Sequence, residues 1–75
     1  MDDIPVLAEV TGNVAKIAVR PGQSVAADEP VVIVESMKME IPAAASTAGI
    51  VVDVLVAEGE AVEEGQVLAL LRRAP

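Results

Sequence analysis

Short apolar runs alternate with polar breaks along the whole chain. Val-rich segments are interrupted at short intervals by Gly, Pro and charged residues, without the spacing of an amphipathic helix. Short β-branched segments between turn residues are typical of an all-β barrel or sandwich. The residues from Arg72 to Pro75 resemble a frayed end. We expect strands at Ile4–Val10, Val14–Val19, Pro30–Glu35, Met39–Pro42, Gly49–Val56 and Gln66–Leu71, with two very short strands near Val25 and Val62.

The chain repeats itself at an interval of 37 positions. A shift by 37 places Gly12 on Gly49 and Gly22 on Gly59. With this shift, residues 12–34 align with the second copy without a gap. Turns at Gly22 and Gly59 separate the apolar segments of each copy, since glycine readily adopts the positive φ of many turns. The repeat predicts a quasi-two-fold fold in which each half covers the apolar face of the other. We expect structural turns at Gly12, Gly22, Gly49 and Gly59.

The hydrophobic residues are small and mostly β-branched. Fourteen residues are Val, none is aromatic, and 53% of the chain is hydrophobic. Side chains of this shape fit thin, closely spaced β layers better than the wall of a large ligand pocket. Because the chain has no Cys and no His, a metal site would have to use carboxylates alone, and we expect none. The length predicts one domain over residues 1–75.

The net charge of −7 narrows the classes of partner. It repels nucleic acid phosphates and anionic membrane surfaces, so we expect neither as a partner. The acidic residues are spread along the chain, as is typical of a solvated surface. No apolar run approaches the roughly 20 residues of a membrane span. The acidic start at Asp2 and Asp3 lacks the apolar stretch of a signal peptide, so we expect a cytoplasmic protein.

The segment between the two halves has unusual turn chemistry. If Pro30–Glu35 and Met39–Pro42 pair as strands, the loop between them is centred on Met37 and Lys38. Two-residue hairpin loops favour Asn and Gly because they need positive φ, and neither Met nor Lys meets that need. Local rules of this kind tend to be broken at functional sites. Met39 adds a second flexible apolar side chain beside the lysine, which suits recognition by a partner.

A purely structural interpretation of the same residues is the alternative. A lone exposed lysine is usually solvent-facing charge, and Met37 and Met39 could be core residues at a strand end. That interpretation has to explain a glycine-free hairpin, its place midway between two repeats, and apolar residues on both sides of the amine. We therefore favour Lys38 as a functional group.

The sequence around Lys38 resembles the attachment motif of biotinyl domains, in the biotin/lipoyl attachment domain family. The motif here is Glu35-Ser36-Met37-Lys38-Met39-Glu40, with Met-Lys-Met at its centre. Together with the repeat, the resemblance extends over nearly the whole chain. It implies an all-β flattened barrel or sandwich of two four-stranded antiparallel sheets with a quasi-two-fold internal repeat. It also implies biotin attachment at Lys38 and ligase recognition through Met37, Met39, Glu35 and Ser36.

The resemblance further implies a non-catalytic carrier subunit of a biotin-dependent carboxylase. A biotin protein ligase would join biotin to Lys38 as an amide. The carrier would then move a carboxyl group between a biotin carboxylase subunit and a carboxyltransferase subunit. The acceptor would be an acyl-CoA, as in the acetyl-CoA carboxylase of fatty acid biosynthesis. Without a thumb-like insertion, a Pro/Ala-rich linker or a fused catalytic domain, the chain resembles the short stand-alone biotin/lipoyl attachment proteins.

Two other functions fit the same fold. Lipoyl domains of 2-oxoacid dehydrogenases share it but usually carry Asp-Lys-Ala at the tip, whereas here Lys38 lies between Met37 and Met39. The flanking methionines therefore favour biotin over lipoate. The chain could also be an unmodified β interaction module, which an unmodified Lys38 in the presence of an active ligase would indicate.

Overall fold

Eight β-strands within residues 3–73 form the fold, as the β-branched composition predicts. The structure, a computed structural model, describes residues 3–73; this range contains no helix, and so none that could span a membrane. The predicted all-β class and all the expected strands are confirmed, although most strand ends differ. The strands are β1 (Ile4–Leu7), β2 (Gly12–Ile17), β3 (Ser24–Val25), β4 (Pro30–Ser36), β5 (Met39–Ala44), β6 (Gly49–Val54), β7 (Ala61–Val62) and β8 (Val67–Arg73).

The strands form two four-stranded antiparallel sheets. One sheet has the order β1-β8-β6-β3 and the other the order β5-β4-β2-β7. The repeat relates β1 to β5, β2 to β6, β3 to β7 and β4 to β8, so it converts one sheet into the other. Each sheet contains two strands from each half, because β8 pairs with β1 and β3 pairs with β6. We expected each half only to cover the apolar face of the other. In the structure the two halves also share both sheets, because strands of one half pair with strands of the other.

Reciprocal backbone hydrogen bonds join the two halves. The N–H of Gly22 donates to the carbonyl of Val51 at 2.7 Å, and the N–H of Gly59 donates to the carbonyl of Val14 at 2.7 Å. The repeat relates one bond to the other. Gly22 and Gly59 have φ of 91° and 88°, so the expected turn role of both is confirmed. A turn of each half is thus fixed to a strand of the other half.

Four turns share a side-chain cap that was not expected from the sequence. In each, a Glu or Gln Oε1 accepts a hydrogen bond from the backbone N–H three residues earlier. The residue immediately before each of these Glu or Gln residues has positive φ, as in a type II turn. The sequence signal is Gly or Asp followed by Glu or Gln at equivalent places in both copies. The caps are Gln23, Glu29, Glu60 and Gln66, preceded by Gly22, Asp28, Gly59 and Gly65.

The core consists of Val, Leu and Ala side chains from both sheets. Among the described residues, the buried side chains are all apolar. Removing one Val or Leu side chain from water contributes about 1.5–3 kcal/mol. Most of the large, fully buried side chains come from β4 and β8, which lie inside their sheets. The largest are Leu68, Leu71, Val31, Val32, Val34, Val51 and Val62.

The ends of the strands differ from the predicted ones. The first strand ends at Leu7, whereas Val10 was expected. The register between β1 and β8 shifts between Val6 and Leu7, and the chain bends at residues 9–11. Beyond Leu7 the backbone of Ala8 still bonds to the second half, where its N–H donates to the carbonyl of Gln66 at 2.9 Å. The other long strands begin or end within a residue or two of the expected positions.

The expected frayed end at residues 72–75 is wrong for Arg72 and Arg73. Both lie in β8, where Arg72 pairs with Ile50 and Arg73 with Gly49. The guanidinium of Arg72 also forms an ion pair with Asp3 at 3.2 Å. This order arises because strand partners from distant parts of the sequence extend to the end of β8. Residues 74–75 lie outside the described range.

Gly12 and Gly49 are not turn glycines, so the expected turn role of both is wrong, whereas the expected strand that begins at Gly49 is confirmed. Each is the first residue of a strand, β2 or β6, and neither has positive φ. A Cβ on Gly12 would overlap the carbonyl oxygen of Glu35, and a Cβ on Gly49 would overlap that of Arg72. Glycine is needed at these positions because a neighbouring backbone approaches closely.

We expect Gly12→Ala to lower the free energy of unfolding by about 3 kcal/mol, because its methyl group would press against rigid backbone. Gly22→Ala is the matched control. Nothing lies within 4 Å of a Cβ at Gly22, so only the positive φ is strained, and we expect a loss of about 1–2 kcal/mol. Urea unfolding curves measure both values. A loss for Gly12→Ala no larger than that for Gly22→Ala would refute the close-approach explanation.

Candidate functional site

A two-residue reversal at Met37 and Lys38 joins β4 to β5. The ladder continues up to the pair of Ser36 and Met39, so no other residue is left for the turn. Both turn residues have positive φ, 52° for Met37 and 66° for Lys38. Positive φ at both central positions is the signature of a type I′ hairpin turn. The predicted hairpin centred on these two residues is therefore confirmed.

The backbone of this turn is unfavourable for the side chains that occupy it. The left-handed region costs a residue with a Cβ about 1–2 kcal/mol. Elsewhere in the described range, positive φ occurs at glycines and at Asp28, a residue type that tolerates it, whereas the hairpin places Met37 and Lys38 there. Strain of this kind persists only where the surrounding structure enforces it, and it is concentrated at functional sites.

The tip holds an amine and two thioethers in contact with solvent. Met37 is 93% exposed and Met39 is 62% exposed, and Lys38 is exposed between them. The alternative in which the two methionines are core residues is therefore wrong. Within residues 3–73 the amine of Lys38 forms no ion pair. A modifying enzyme can reach an amine in this position, and it meets apolar surface on both sides.

The strand that leads to the tip provides a rigid base. β4 lies inside its sheet, between β2 and β5, and its side chains at Val31, Val32 and Val34 are buried. Because Gly12 of β2 has no Cβ, its backbone can lie close to the carbonyl of Glu35, two residues before the turn. The core and the ladder together fix the position of Lys38, which is what a specific attachment site requires.

The predicted recognition residues Glu35 and Ser36 lie at the end of β4. Glu35 is exposed, and Ser36 is half-buried opposite Met39. The structure therefore brings these residues together with Met37 and Lys38 at one tip. The predicted turn residues Gly22 and Gly59 lie in other turns. Among residues 3–73, no group of three acidic side chains is placed to hold a metal ion.

Two like charges face each other at the base of the tip. Glu35 and Glu40 form a cross-strand pair, and both are exposed. The repeat relates these positions to Arg72 and Asp3, which form an ion pair. Like charges directly opposite each other destabilise a sheet. Sequence reasoning singled out Glu35 for recognition and missed the pairing with Glu40, although a two-residue loop at Met37 and Lys38 places these two residues opposite each other.

Two quasi-symmetric β halves with an exposed lysine at the hairpin between them have the architecture of a biotin/lipoyl carrier domain. The family model described as biotin-requiring enzyme matches residues 3–71, and the chain belongs to this family. The matched range contains the whole hairpin. The resemblance first seen at Met-Lys-Met is therefore confirmed for the full fold.

Similar proteins occur both alone and as parts of larger chains. The biotin/lipoyl attachment protein of Bacillus subtilis is 45% identical over 60 residues, which cover 80% of this chain and 82% of that one. The biotinylated protein TB7.3 homolog of Mycobacterium leprae is 38% identical over 66 residues, 88% and 93% of the two chains. The biotin-dependent acyl-coenzyme A carboxylase alpha3 subunit of the same species is 42% identical, but only 11% of it is covered.

Solved structures give the same fold. The urea carboxylase of Kluyveromyces lactis contains a region that superimposes with a TM-score of 0.91 and 32% identity over 96% of this chain. That region is 6% of the urea carboxylase chain. The lipoyl domain of the 2-oxoglutarate dehydrogenase complex from Azotobacter vinelandii superimposes over its full length with a TM-score of 0.73 and 29% identity. The fold is therefore common to biotin and lipoyl carriers.

We expect Met37→Asn to raise the free energy of unfolding by about 1 kcal/mol, since Asn tolerates positive φ better than Met. Met39→Asn is the matched control, because Met39 lies in β5 without positive φ. Asn is unfavourable in strands, so this variant should gain nothing. Urea unfolding at one pH compares the two. Equal effects in both variants would rule out the turn backbone as the source of the strain.

Proposed function

We propose that the chain is the biotin carrier of a biotin-dependent carboxylase and that Lys38 is its attachment residue. The observation that carries this proposal is the strained, exposed turn in which Lys38 lies between Met37 and Met39. A lysine that serves only as surface charge does not need this backbone. Relatives of similar length, named for biotinylation and for biotin/lipoyl attachment, support the proposal.

The tip suits the loading step. An amine nitrogen attacks a carboxyl carbon through its lone pair and loses a proton as the amide forms, so a biotin protein ligase has to provide a group that accepts this proton. The nitrogen of Lys38 then displaces the activating group from the carboxyl carbon of biotin and forms an amide. Met37 and Met39 offer flexible apolar contacts to the ligase. Glu35 and Ser36 lie within the same short stretch and complete the recognised surface.

The chain serves as a tether during carboxylation. When attached, biotin supplies a ring nitrogen that accepts a carboxyl group and gives it up. The hairpin holds the lysine at the end of a well-packed strand, so its side chain can enter the sites of two partners, a biotin carboxylase and a carboxyltransferase. Tethering raises the effective concentration of the attached group at both sites. The chain contributes no catalytic residue in this proposal.

A lipoyl carrier is the second candidate function. It is supported by the full-length superposition on the lipoyl domain of the 2-oxoglutarate dehydrogenase complex. The residues beside the lysine decide between the two candidates. Met37 and Met39 resemble the flanks of a biotinylated lysine, whereas lipoyl tips usually carry Asp-Lys-Ala. We therefore place biotin first.

For the acceptor we propose an acyl-CoA. Support comes from the 42% identity to a subunit of an acyl-coenzyme A carboxylase, while the likeness to a urea carboxylase makes urea the competing acceptor. Carboxylation assays of the loaded chain with its partner subunits, supplied with an acyl-CoA or with urea, distinguish the two. We also propose that the carrier works in the cytoplasm, where ATP is available to the biotin carboxylase.

We expect co-expression with a biotin protein ligase to add one biotinyl group to the wild type and none to Lys38→Ala. Lys16→Ala is the matched control, because Lys16 is the other lysine of the chain and is also exposed. It should be loaded like the wild type. Intact mass measures the gain, and circular dichroism should show that Lys38→Ala is folded, since its side chain lies outside the core.

Three results would change the proposal. Loading of Lys38→Ala would place the attachment site elsewhere, and unfolding of that variant would make the tip structural. No gain in the wild type would exclude biotin. Exposure of the same protein to a lipoate ligase would then test the lipoyl candidate, and failure there would leave an unmodified interaction module.

A further inference from the structure

Met37 is the most exposed of the large apolar side chains in the described part of the chain. It is 93% exposed, compared with 62% for Met39 and 47% for Leu55. Its thioether therefore makes almost no contact with the domain that carries it. The residue also directly precedes Lys38 in the turn. An oxidant can reach this sulfur at the place where a loading enzyme has to bind.

We propose that Met37 is a redox modification site that controls the loading of Lys38. The proposal rests on the proposed function, because it requires a ligase that contacts the tip. In the reduced form Met37 presents an apolar thioether to that enzyme. In the sulfoxide form the same side chain carries a strongly polar S=O group. Burying that oxygen against an apolar surface without a hydrogen-bond partner is unfavourable, so oxidation slows loading.

The modification needs only hydrogen peroxide. The sulfur of Met37 donates an electron pair to one peroxide oxygen, the O–O bond breaks, an S–O bond forms, and the other oxygen leaves as water. Sulfur loses two electrons and peroxide gains two. Methionine sulfoxide reductases reverse the change with a dithiol, which becomes a disulfide while the oxygen leaves as water. The modification is therefore reversible.

The fold survives this oxidation because the tip lies outside the core. The buried cluster consists of Val, Leu and Ala, and neither Met37 nor Met39 belongs to it. Oxidation consequently changes the recognised surface without removing core packing. The greater exposure of Met37 also predicts that it reacts before Met39, since susceptibility increases with access to solvent.

The test uses the full chain without biotin, because the thioether of biotin can itself be oxidised. Wild type, Met37→Leu and Met39→Leu are treated with hydrogen peroxide at a dose where peptide mass mapping finds Met37 oxidised and Met39 reduced. Leu keeps the apolar character but cannot form a sulfoxide. Met1 is present in all three proteins, so its own oxidation is controlled. The rate of biotinylation by a purified ligase is compared before and after treatment within each variant.

We expect treatment to slow loading of the wild type and of Met39→Leu about tenfold or more, as for a lost apolar contact in a recognition pocket. Sulfoxide reductases acting on both epimers should restore the rate, and circular dichroism should show the same fold throughout. Met37→Leu should load equally fast before and after treatment.

Two outcomes overturn the proposal alone. One is undiminished loading of wild type in which Met37 is fully oxidised, and the other is equal slowing of Met37→Leu. If untreated wild type takes up no biotin, the proposed function has failed, and the redox proposal fails with it. The untreated arm therefore separates the two failures.

Discussion

The two-residue reversal between β4 and β5 is the constraint on which the candidate site depends. The ladder extends to Ser36 and Met39, so Met37 and Lys38 alone reverse the chain, and both adopt positive φ. The strain is sustained because β4 lies inside its sheet with buried side chains as far as Val34. A longer loop would relieve the strain and would also let the lysine move. The strained tip and its rigid base together present the amine at a fixed point.

The repeat makes the two sheets equivalent in backbone, and the side chains make them different. Reciprocal hydrogen bonds from the turns at Gly22 and Gly59 fix each half to the other. At the end of β8, Arg72 forms an ion pair with Asp3. The repeat relates these two positions to Glu35 and Glu40, which face each other next to the hairpin turn. The backbone is thus symmetric, whereas the side chains at the tip form a negative, thioether-bearing surface, which is the surface that the proposed function assigns to recognition.

The sequence predicts the strands and the hairpin because turn residues and β-branched runs are local signals. It does not reveal how the halves interlock, since pairing of β1 with β8 joins the two ends of the chain. The order at Arg72 was missed for the same reason, because its partner Asp3 is distant in sequence. The sequence does not distinguish a turn role of Gly12 from a close-approach role, because a missing Cβ permits either positive φ or a close neighbouring backbone. Lys38 stands out in the sequence because it breaks a turn rule, whereas the pairing of Glu35 with Glu40 requires the register of the hairpin to be followed one pair beyond Ser36 and Met39.

Exchanging the two residues of the turn is the most direct test of the central claim. The double variant Met37→Lys with Lys38→Met keeps the composition, the net charge and an exposed amine, and moves that amine by one position. Neighbouring residues point in different directions, so the lysine would leave the recognised position. We predict that a ligase that loads the wild type leaves this variant unmodified by intact mass, although circular dichroism shows it folded. Loading at the wild-type rate would contradict the claim that the turn geometry defines the site.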